Sequence, residues 1–306
     1  MYNASRFVGE TLASVLAQTL SDIEVLVVDD GSTDDSVAVV QRLADTVNSP
    51  IRLLRQANGG PSRARNAALA VAQGEFVALL DADDLWMPTY LERTVSFLDS
   101  HAGLSLVFTD SILFGEGERV GKRWIALHPS KRPFTTDRII GRSCNVPSNN
   151  VFRRSIIASS GVFDETLRAA EDWDLWIRMS LAGAKIDYLA EPLHRYRQHA
   201  SSISASDERL GHGILAVCEK LAADKRVGPA ARASLQAQQR LAREIIARSV
   251  ARHCFRARDY RGSRRALAEA QAHKPNVPRA ISLLGLWLAP GLMRSAARWG
   301  HFDPVR

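Results

Sequence analysis

Three carboxylates stand close together in the segment Asp81-Ala82-Asp83-Asp84, directly after the apolar run 76–80. A short apolar run of this kind predicts a buried β-strand. Carboxylates at the end of a strand repel one another unless a cation lies between them, and oxygen ligands favour Mg²⁺ or Mn²⁺. The segment therefore predicts a divalent-metal site, although an acidic turn on the surface can have the same sequence.

A second apolar run, residues 23–28, ends in Asp29 and Asp30. In open α/β sheets ligands bind beyond the carboxyl ends of strands, so two acidic strand ends side by side predict one polar crevice. Ser32 and Asp34, which follow, also fit a turn and the N-cap of a helix. Asp29 and Asp30 have no such local role, and we expect them to face a ligand.

Strands and helices of an α/β domain must position these acids. The sequence motifs around the acids resemble those of glycosyltransferase family 2. The resemblance covers residues 2–205 and depends on the order and spacing of VVDDGSTD (27–34), NGGPSRARN (58–66), LDADD (80–84), EDWDLWIR (171–178) and YRQHASSIS (196–204), after two shorter matches at 16–19 and 22–24. It implies an inverting, metal-dependent enzyme with the GT-A fold, which is a mixed, mostly parallel sheet flanked by helices.

The resemblance assigns the binding of a nucleotide-sugar donor to Asp29, Asp30, Arg63, Arg65, Asp81 and Ala82. It implies that Asp30 hydrogen-bonds the base and that Asp81 faces the ribose. The implied ligands of a Mn²⁺ or Mg²⁺ ion that bridges the donor phosphates are Asp83, Asp84 and His199. Two alternatives stay open, namely a purely structural salt bridge at Arg65 and a structural role for His199.

The general base is implied to lie in Glu171-Asp172, at the start of a predicted helix, and we select Asp172. The acid pair indicates a single displacement with inversion. This mechanism forms no covalent intermediate, so it needs no second carboxylate as a nucleophile. Both acids also suit a helix N-terminus without any catalytic role. The residues expected on the acceptor side are Trp173, Trp176 and Asn149. Residues 114–141 are predicted to form an inserted loop of the kind that determines specificity.

The activity that the resemblance implies is transfer of a sugar from a nucleotide-sugar, chiefly a UDP-sugar, to a hydroxyl of a glycan or lipid-linked acceptor. Two other interpretations stay open. One is a metal-dependent nucleotidyltransferase on a similar sheet, and the other is a non-catalytic binding or scaffold protein.

One departure from the family concerns the beginning of the chain. The family's first strand should end where this sequence starts, at Met1-Tyr2-Asn3. That strand would lie between the strand that ends at Asp30 and the strand that ends at Asp81, so we expect two unpaired strand edges. The interpretation we favour places the true start codon upstream of Met1, and the alternative is a truncated chain that tolerates the gap.

The cysteines and the N-terminus indicate the compartment. Cys144, Cys218 and Cys254 are too few and too scattered for a disulfide framework or a thiolate metal site. The first residues lack the basic start and apolar core of a signal peptide. We therefore expect a cytoplasmic protein.

Charge divides the chain near residue 205, since residues 206–306 hold 19 Lys and Arg against 8 Asp and Glu. We predict a basic α-helical domain over 206–306, with helices at 207–224, 229–256 and 262–273, and a GT-A domain over 1–205. The apolar stretch 280–289 is too short to span a bilayer. Residues 276–306 either pack against protein or lie on the inner face of the cytoplasmic membrane. No nucleic-acid partner is expected, because the tail lacks interleaved aromatic residues and any recognised module.

Overall fold

The computed structural model of the 306-residue chain describes residues 1–46, 51–199 and 207–288. The chain divides into two compact units, Met1–Ser202 and Ile203–Arg306. The first unit contains the strands and the second, within the described residues, is helical.

The strands of the first unit form two sheets. They are β1 (Val25–Asp29), β2 (Ile51–Arg55), β3 (Phe76–Ala78), β4 (Leu85–Trp86), β5 (Leu106–Gly115), β6 (Asn150–Arg153) and β7 (Ile186–Gln198). Strands β1 and β2 pair in parallel, and the five-stranded sheet has the order β3-β6-β5-β7-β4. The mixed sheet is as predicted. It is less parallel than expected, because in the described residues β6 runs antiparallel to β3 and β5, and β4 runs antiparallel to β7.

The helices of the first unit flank these sheets and supply much of the core. They are α1 (Val8–Leu16), α2 (Ser36–Thr46), α3 (Pro61–Leu69), α4 (Tyr90–Ser100), α5 (Trp124–Leu127), α6 (Thr136–Ile140), α7 (Ile157–Ser160) and α8 (Glu171–Leu181). On α1, Val8, Leu12 and Val15 are buried at helical spacing and pack in one cluster with β1 and α4. Each such side chain contributes about 1.5–3 kcal/mol on burial. This packing fixes the strand ends that carry the acids.

Strands β1 and β3 are terminal strands of their sheets in the described part of the chain. Beside β1, the Met1 amine donates to the Val28 carbonyl (2.5 Å) and the Asp30 N–H donates to the Met1 carbonyl (2.9 Å). This is the pattern of one parallel bridge. The two open edges expected from the sequence are thus present among the described strands, and the position of the start codon stays a prediction.

The second unit contains α9 (Asp207–Ala222), α10 (Pro229–Arg256), α11 (Tyr260–His273) and α12 (Val277–Leu288). The first three agree with the predicted helices to within two residues at each end. Helix α12 is anchored by Arg279, which is buried and paired with the buried Glu244 of α10. No helix in the described residues is long and apolar enough to cross a membrane.

Candidate active site

Arg65 joins the acidic segment 81–84 to the Glu171-Asp172 pair. It lies on α3, and its guanidinium donates to Asp81 Oδ1 (2.9 Å) and to Glu171 Oε1 (2.7 Å). Burial raises the pKa of Asp81, but the charge and hydrogen bond of Arg65, together with His194 and Ser148, hold that pKa below its usual value. Residues 106 positions apart thereby become neighbours. The salt bridge left open as an alternative is present, and it lies between the two acidic segments.

Asp29 and Asp30 are both buried at the end of β1 and are held by protein donors. Asp30 accepts hydrogen bonds from the N–H groups of Gly59 (2.9 Å) and Gly60 (2.8 Å) and from Gln56 Nε2 (2.7 Å). Asp30 therefore fixes the turn that begins α3 and, through that helix, the position of Arg65. The sequence had no signal for this role, and the expected contact of Asp30 with a nucleotide base stays a prediction.

The other donor-side residues lie near the same turn. Arg63 is exposed and its aliphatic part covers Gly59, where an added Cβ would collide with it. Ala82 follows Asp81 in the acidic turn, and its carbonyl accepts from Thr11 Oγ1 (3.0 Å) on α1. The turn is thereby attached to α1, and Arg63 is placed to reach solvent or a ligand.

Asp83 and His199 meet at the open side of the acidic turn. His199 Nε2 lies 2.9 Å from Asp83 Oδ2, and the Asp83 side chain is 31% exposed. A carboxylate oxygen and an imidazole nitrogen are a donor pair that suits Mn²⁺. The described residues contain no group of three or more His, Cys, Asp or Glu placed to hold a metal. A metal of this kind is commonly held by one or two protein groups and the substrate's phosphates, so the pair fits such an ion.

Asp84 is directed away from the crevice, which corrects its expected role as a metal ligand. Its side chain is 3% exposed, Oδ1 accepts from the Arg197 N–H (2.7 Å), and Oδ2 lies 3.1 Å from His194 Nε2. Burial raises the pKa of Asp84 to about 6 even though His194 lowers it. With both oxygens directed at β7, Asp84 is placed to hold the turn so that Asp83 reaches His199.

A buried polar chain behind Asp84 was not found from the sequence. His194 Nδ1 lies 2.8 Å from Ser111 Oγ, which also accepts from Asn149 Nδ2 (3.3 Å). Asn149 is buried in this chain, so its expected place beside an acceptor does not fit. Polar residues this far apart in the sequence form no motif, and only their convergence in space reveals them.

Arg197, the second residue of the YRQH motif, connects β7 to the acidic turn and to α1. Its Nε donates to the Asp83 carbonyl (2.6 Å) and its NH2 donates to Glu10 Oε2 (2.6 Å) of α1. The guanidinium also lies 4.8 Å from the ring centre of Phe7. The position of Arg197 in the motif indicated that it lies at the site, but the sequence did not predict its contacts.

Asp172 lies in the first turn of α8, beside Glu171. The preceding Ala170 has φ of +60°, which turns the chain sharply into the helix. Burial and the neighbouring charge of Glu171 raise the pKa of Asp172 to about 6, although Arg65 and Arg142 oppose the shift. A carboxylate whose pKa lies near neutrality is suited to accept a proton in a reaction at that pH. The site thus has a carboxylate–imidazole pair in the acidic turn and a base candidate beside Glu171, and Arg65 joins Asp81 of that turn to Glu171.

The two tryptophans of α8 do not face the crevice, which corrects their expected role on the acceptor side. Trp176 is fully buried and packs against Phe152 and Phe163. Trp173 is also buried, and its Nε1 donates to the Ile139 carbonyl (3.0 Å). An amphipathic helix directs its apolar stripe to the core, and both rings lie on that stripe. Neither ring is available to stack on a sugar.

Comparison with known proteins identifies a family that the sequence matches. The model of the family described as "Glycosyl transferase family 2" matches residues 1–161. An uncharacterized glycosyltransferase of Nostoc sp. is 32% identical over 68% of this chain and 67% of its own length. The poly(ribitol-phosphate) beta-N-acetylglucosaminyltransferase TarS of Staphylococcus aureus is 28% identical over 68% of this chain, which spans only 37% of TarS. WfaP of Escherichia coli, named as a UDP-Glc:alpha-D-GlcNAc-diphosphoundecaprenol beta-1,3-glucosyltransferase, is 29% identical over 67% of this chain and 77% of its length.

Solved structures share the fold. TarS residues 1–349 in complex with UDP-GlcNAc has a TM-score of 0.61 and 20% identity, and the match covers 99% of this chain and 90% of that one. The mannosyltransferase PcManGT of Pyrobaculum calidifontis, in complex with GDP-Man and Mn²⁺, has a TM-score of 0.64 and 20% identity over 100% of this chain and 80% of that one. At this identity the likeness establishes the GT-A fold alone.

Proposed function

The chain belongs to glycosyl transferase family 2, and on that basis we propose that it transfers a sugar from a UDP-sugar to a hydroxyl of a glycan or lipid-linked acceptor. The observation that supports the proposal is the Arg65 bridge, because it joins Asp81 of the acidic turn to Glu171, which lies next to Asp172 in the sequence. Of the alternatives drawn from the sequence, neither a nucleotidyltransferase nor a scaffold protein is favoured by any observation in the described residues.

The donor side of the proposal is supported by two kinds of observation. The names of the matched proteins include UDP-Glc for WfaP, and the TarS and PcManGT structures hold UDP-GlcNAc and GDP-Man. In this chain Asp83 and His199 would hold Mn²⁺ or Mg²⁺, which when bound neutralises charge on the leaving diphosphate. Asp81 is held beside them by Arg65 and by Ser148 Oγ, which donates to Asp81 Oδ2 (3.3 Å). Asp84 and His194 hold the turn from behind.

The acceptor side rests on Asp172, which we propose as the general base of a single displacement with inversion. Its raised pKa leaves it ionised but basic at neutral pH. The name of TarS includes a poly(ribitol-phosphate) acceptor and that of WfaP a diphosphoundecaprenol-linked sugar, which is consistent with a glycan or lipid-linked acceptor here.

The test of this proposal separates binding from transfer. Calorimetry should show UDP binding that is enhanced by Mn²⁺, and Asp83→Asn should remove the enhancement. Asp172→Asn should leave that binding nearly intact and lower transfer at least ~100-fold, the scale of a general base. Asp99→Asn, the same substitution at an exposed position on α4, is the matched control. Equal loss of binding in both site variants would contradict the division of roles.

We also propose that the second unit associates with an anionic membrane surface, on the cytoplasmic side, through residues 276–306. The exposed apolar side chains of α12 are Val277, Ile281, Leu284, Trp287 and Leu288. They lie on a strongly basic unit, and both features suit anionic lipid. Residues 289–306 lie outside the described residues.

The test of membrane association uses exposed positions, because deletion of α12 would remove Arg279, the buried partner of Glu244. Ile281→Ser with Leu284→Ser should shift the protein off anionic liposomes in co-sedimentation. Val250→Ser, at another exposed apolar position, should not. Equal sedimentation of all three proteins would refute the association.

A further inference from the structure

Phe7, at the start of α1, packs against the imidazole of His199. The centres of the two rings lie 4.8 Å apart, and their planes are tilted by 34°. Aromatic rings at such a separation attract one another beyond the effect of the area that they bury. The sequence did not predict a role for Phe7, and the structure places it beside one half of the pair that would bind a metal.

The backbone of Phe7 is fixed by contacts that do not involve its ring. Phe7 is the N-cap residue of α1, and its N–H donates to the Ala4 carbonyl (2.9 Å). The Ala4 N–H donates to Ser36 Oγ (2.8 Å). The Ser5 N–H donates to Asp34 Oδ2 (3.0 Å). The segment that carries the ring is therefore attached to the turn after β1, and the ring starts from a fixed position.

The ring of Phe7 packs against residues that contact Asp83. In the described residues, the core cluster that contains the buried side chains of α1 does not include Phe7. Phe7 is half-buried, and the Arg197 guanidinium lies 4.8 Å from its ring centre, a cation–π contact. Arg197 Nε donates to the Asp83 carbonyl (2.6 Å), and His199 Nε2 lies 2.9 Å from Asp83 Oδ2. One ring thus contacts two side chains that meet the acidic turn.

Strand pairing does not orient the His199 ring. The last pair between β7 and β5 joins Gln198 to Gly115, and His199 follows it. The His199 side chain is nevertheless only 10% exposed. An imidazole binds a metal ion only when its nitrogen is directed at the ion, and groups that orient a ligand contribute to the affinity of the site. The contact with Phe7 can supply this orientation.

We propose that Phe7 is a positioning residue of the metal site, which holds the His199 imidazole so that Nε2 and the Asp83 carboxylate face the same Mn²⁺ ion. This rests on the proposed function, since that ion belongs to the same donor site. A flat ring packed against the imidazole restricts its rotation, whereas an aliphatic side chain restricts it less. A ligand that is already oriented loses less conformational freedom when the metal binds, so the affinity is higher.

The experiment measures the affinity of the full chain for Mn²⁺ in the presence of UDP, from the electron paramagnetic resonance signal of the free ion. Phe7→Leu should raise the dissociation constant of Mn²⁺ about tenfold, the lower end of the effect of losing a group that supports a metal ligand. Phe7→Tyr keeps the aromatic face and should retain the affinity of the unmodified chain.

The chain offers a matched control on α4. Phe97 is also half-buried, and its ring lies 4.5 Å from that of His101 with the planes tilted by 31°. Phe97→Leu therefore breaks a contact of the same kind between residues that are not part of the site. It should leave the affinity for Mn²⁺ unchanged.

A double-mutant cycle separates positioning from a general structural role. If Phe7 acts through His199, Phe7→Leu should cause no further loss of Mn²⁺ affinity in a His199→Gln chain, because the oriented ligand is already absent. If thermal unfolding shows that Phe7→Leu does not fold, Phe7→Met takes its place in the cycle.

A loss of affinity that requires His199 and is absent in Phe7→Tyr supports the proposal. The proposal is overturned, and the proposed function left standing, by an equal loss in the His199→Gln chain, by an equal loss in Phe97→Leu, or by an affinity that neither Phe7→Leu nor His199→Gln changes. Absence of Mn²⁺-dependent UDP binding to the unmodified chain refutes both.

Discussion

Replacing Arg65 by methionine should destabilise the first unit by about 3 kcal/mol at pH 7. The Arg65 and Glu171 side chains are 18% and 12% exposed, so removal of the guanidinium leaves a largely buried carboxylate unpaired. Breaking such a pair costs about 3–5 kcal/mol. Asp81 is 41% exposed, and the loss of its ion pair adds only about 0–1 kcal/mol because solvent screens it. The Arg65 guanidinium lies 5.3 Å from the ring centre of Phe163, and methionine keeps an unbranched side chain beside that ring, so we expect little change in packing.

The same substitution predicts a pH dependence. Arg65 holds the pKa of Asp81 below its ordinary value, and a depressed carboxyl contributes stability above its unfolded-state pKa that is lost as the pH falls through the folded value. The difference in stability between the unmodified protein and the Arg65→Met variant should therefore narrow below about pH 4, where unfolded aspartate is protonated.

Urea unfolding measures this prediction. Tryptophan fluorescence reports on the first unit once Trp287 and Trp299 are replaced by phenylalanine in both proteins. Arg65→Lys is the control, because lysine keeps the charge but cannot bind both carboxylates with a planar fork, so an intermediate loss is expected. A difference below about 1 kcal/mol at pH 7, or an equal difference at pH 7 and pH 3, would refute the assignment of Arg65 as the connection between the motifs.

Three further predictions concern Asp172 and His194. Asp172→Asn should stabilise the chain at pH 7 by about 1–3 kcal/mol and have no effect on stability at pH 3. The reason is that a carboxyl whose pKa in the folded protein is raised to about 6 destabilises the fold as the pH rises from 4 to 6. Urea unfolding at both pH values measures the difference. The rate of sugar transfer should rise through an apparent pKa near 6 as Asp172 ionises, and a flat profile between pH 5 and 8 would contradict the base assignment. His194→Asn should raise the Mn²⁺ concentration needed for half-maximal UDP binding by about 10-fold or more, because His194 positions Asp84 and the turn; an unchanged Mn²⁺ requirement in a folded variant would disprove that role.

The sequence by itself determined the strand ends and their acids. The apolar run before Asp29 forms the mostly buried β1, since burial drives such a run inward, and Asp29 and Asp30 at its end are held by protein donors. The run 76–80 forms only the short β3, whose residues are half-buried, and Asp81 lies beyond its end. The basic helices after residue 206 were predictable for a similar reason, because helical periodicity and the Gly228-Pro229 start are local properties.

Only the tertiary structure decided what each side chain of these motifs faces. Asp83 and Asp84 are neighbours in one motif, yet one lies beside His199 and the other beside His194, because consecutive residues in a tight turn point in different directions. Trp176 stands in a motif with the candidate base but is needed to fill the core against Phe152. Arg65 and Glu171 are joined only after the chain folds, since direction and long-range proximity depend on packing that no local pattern encodes.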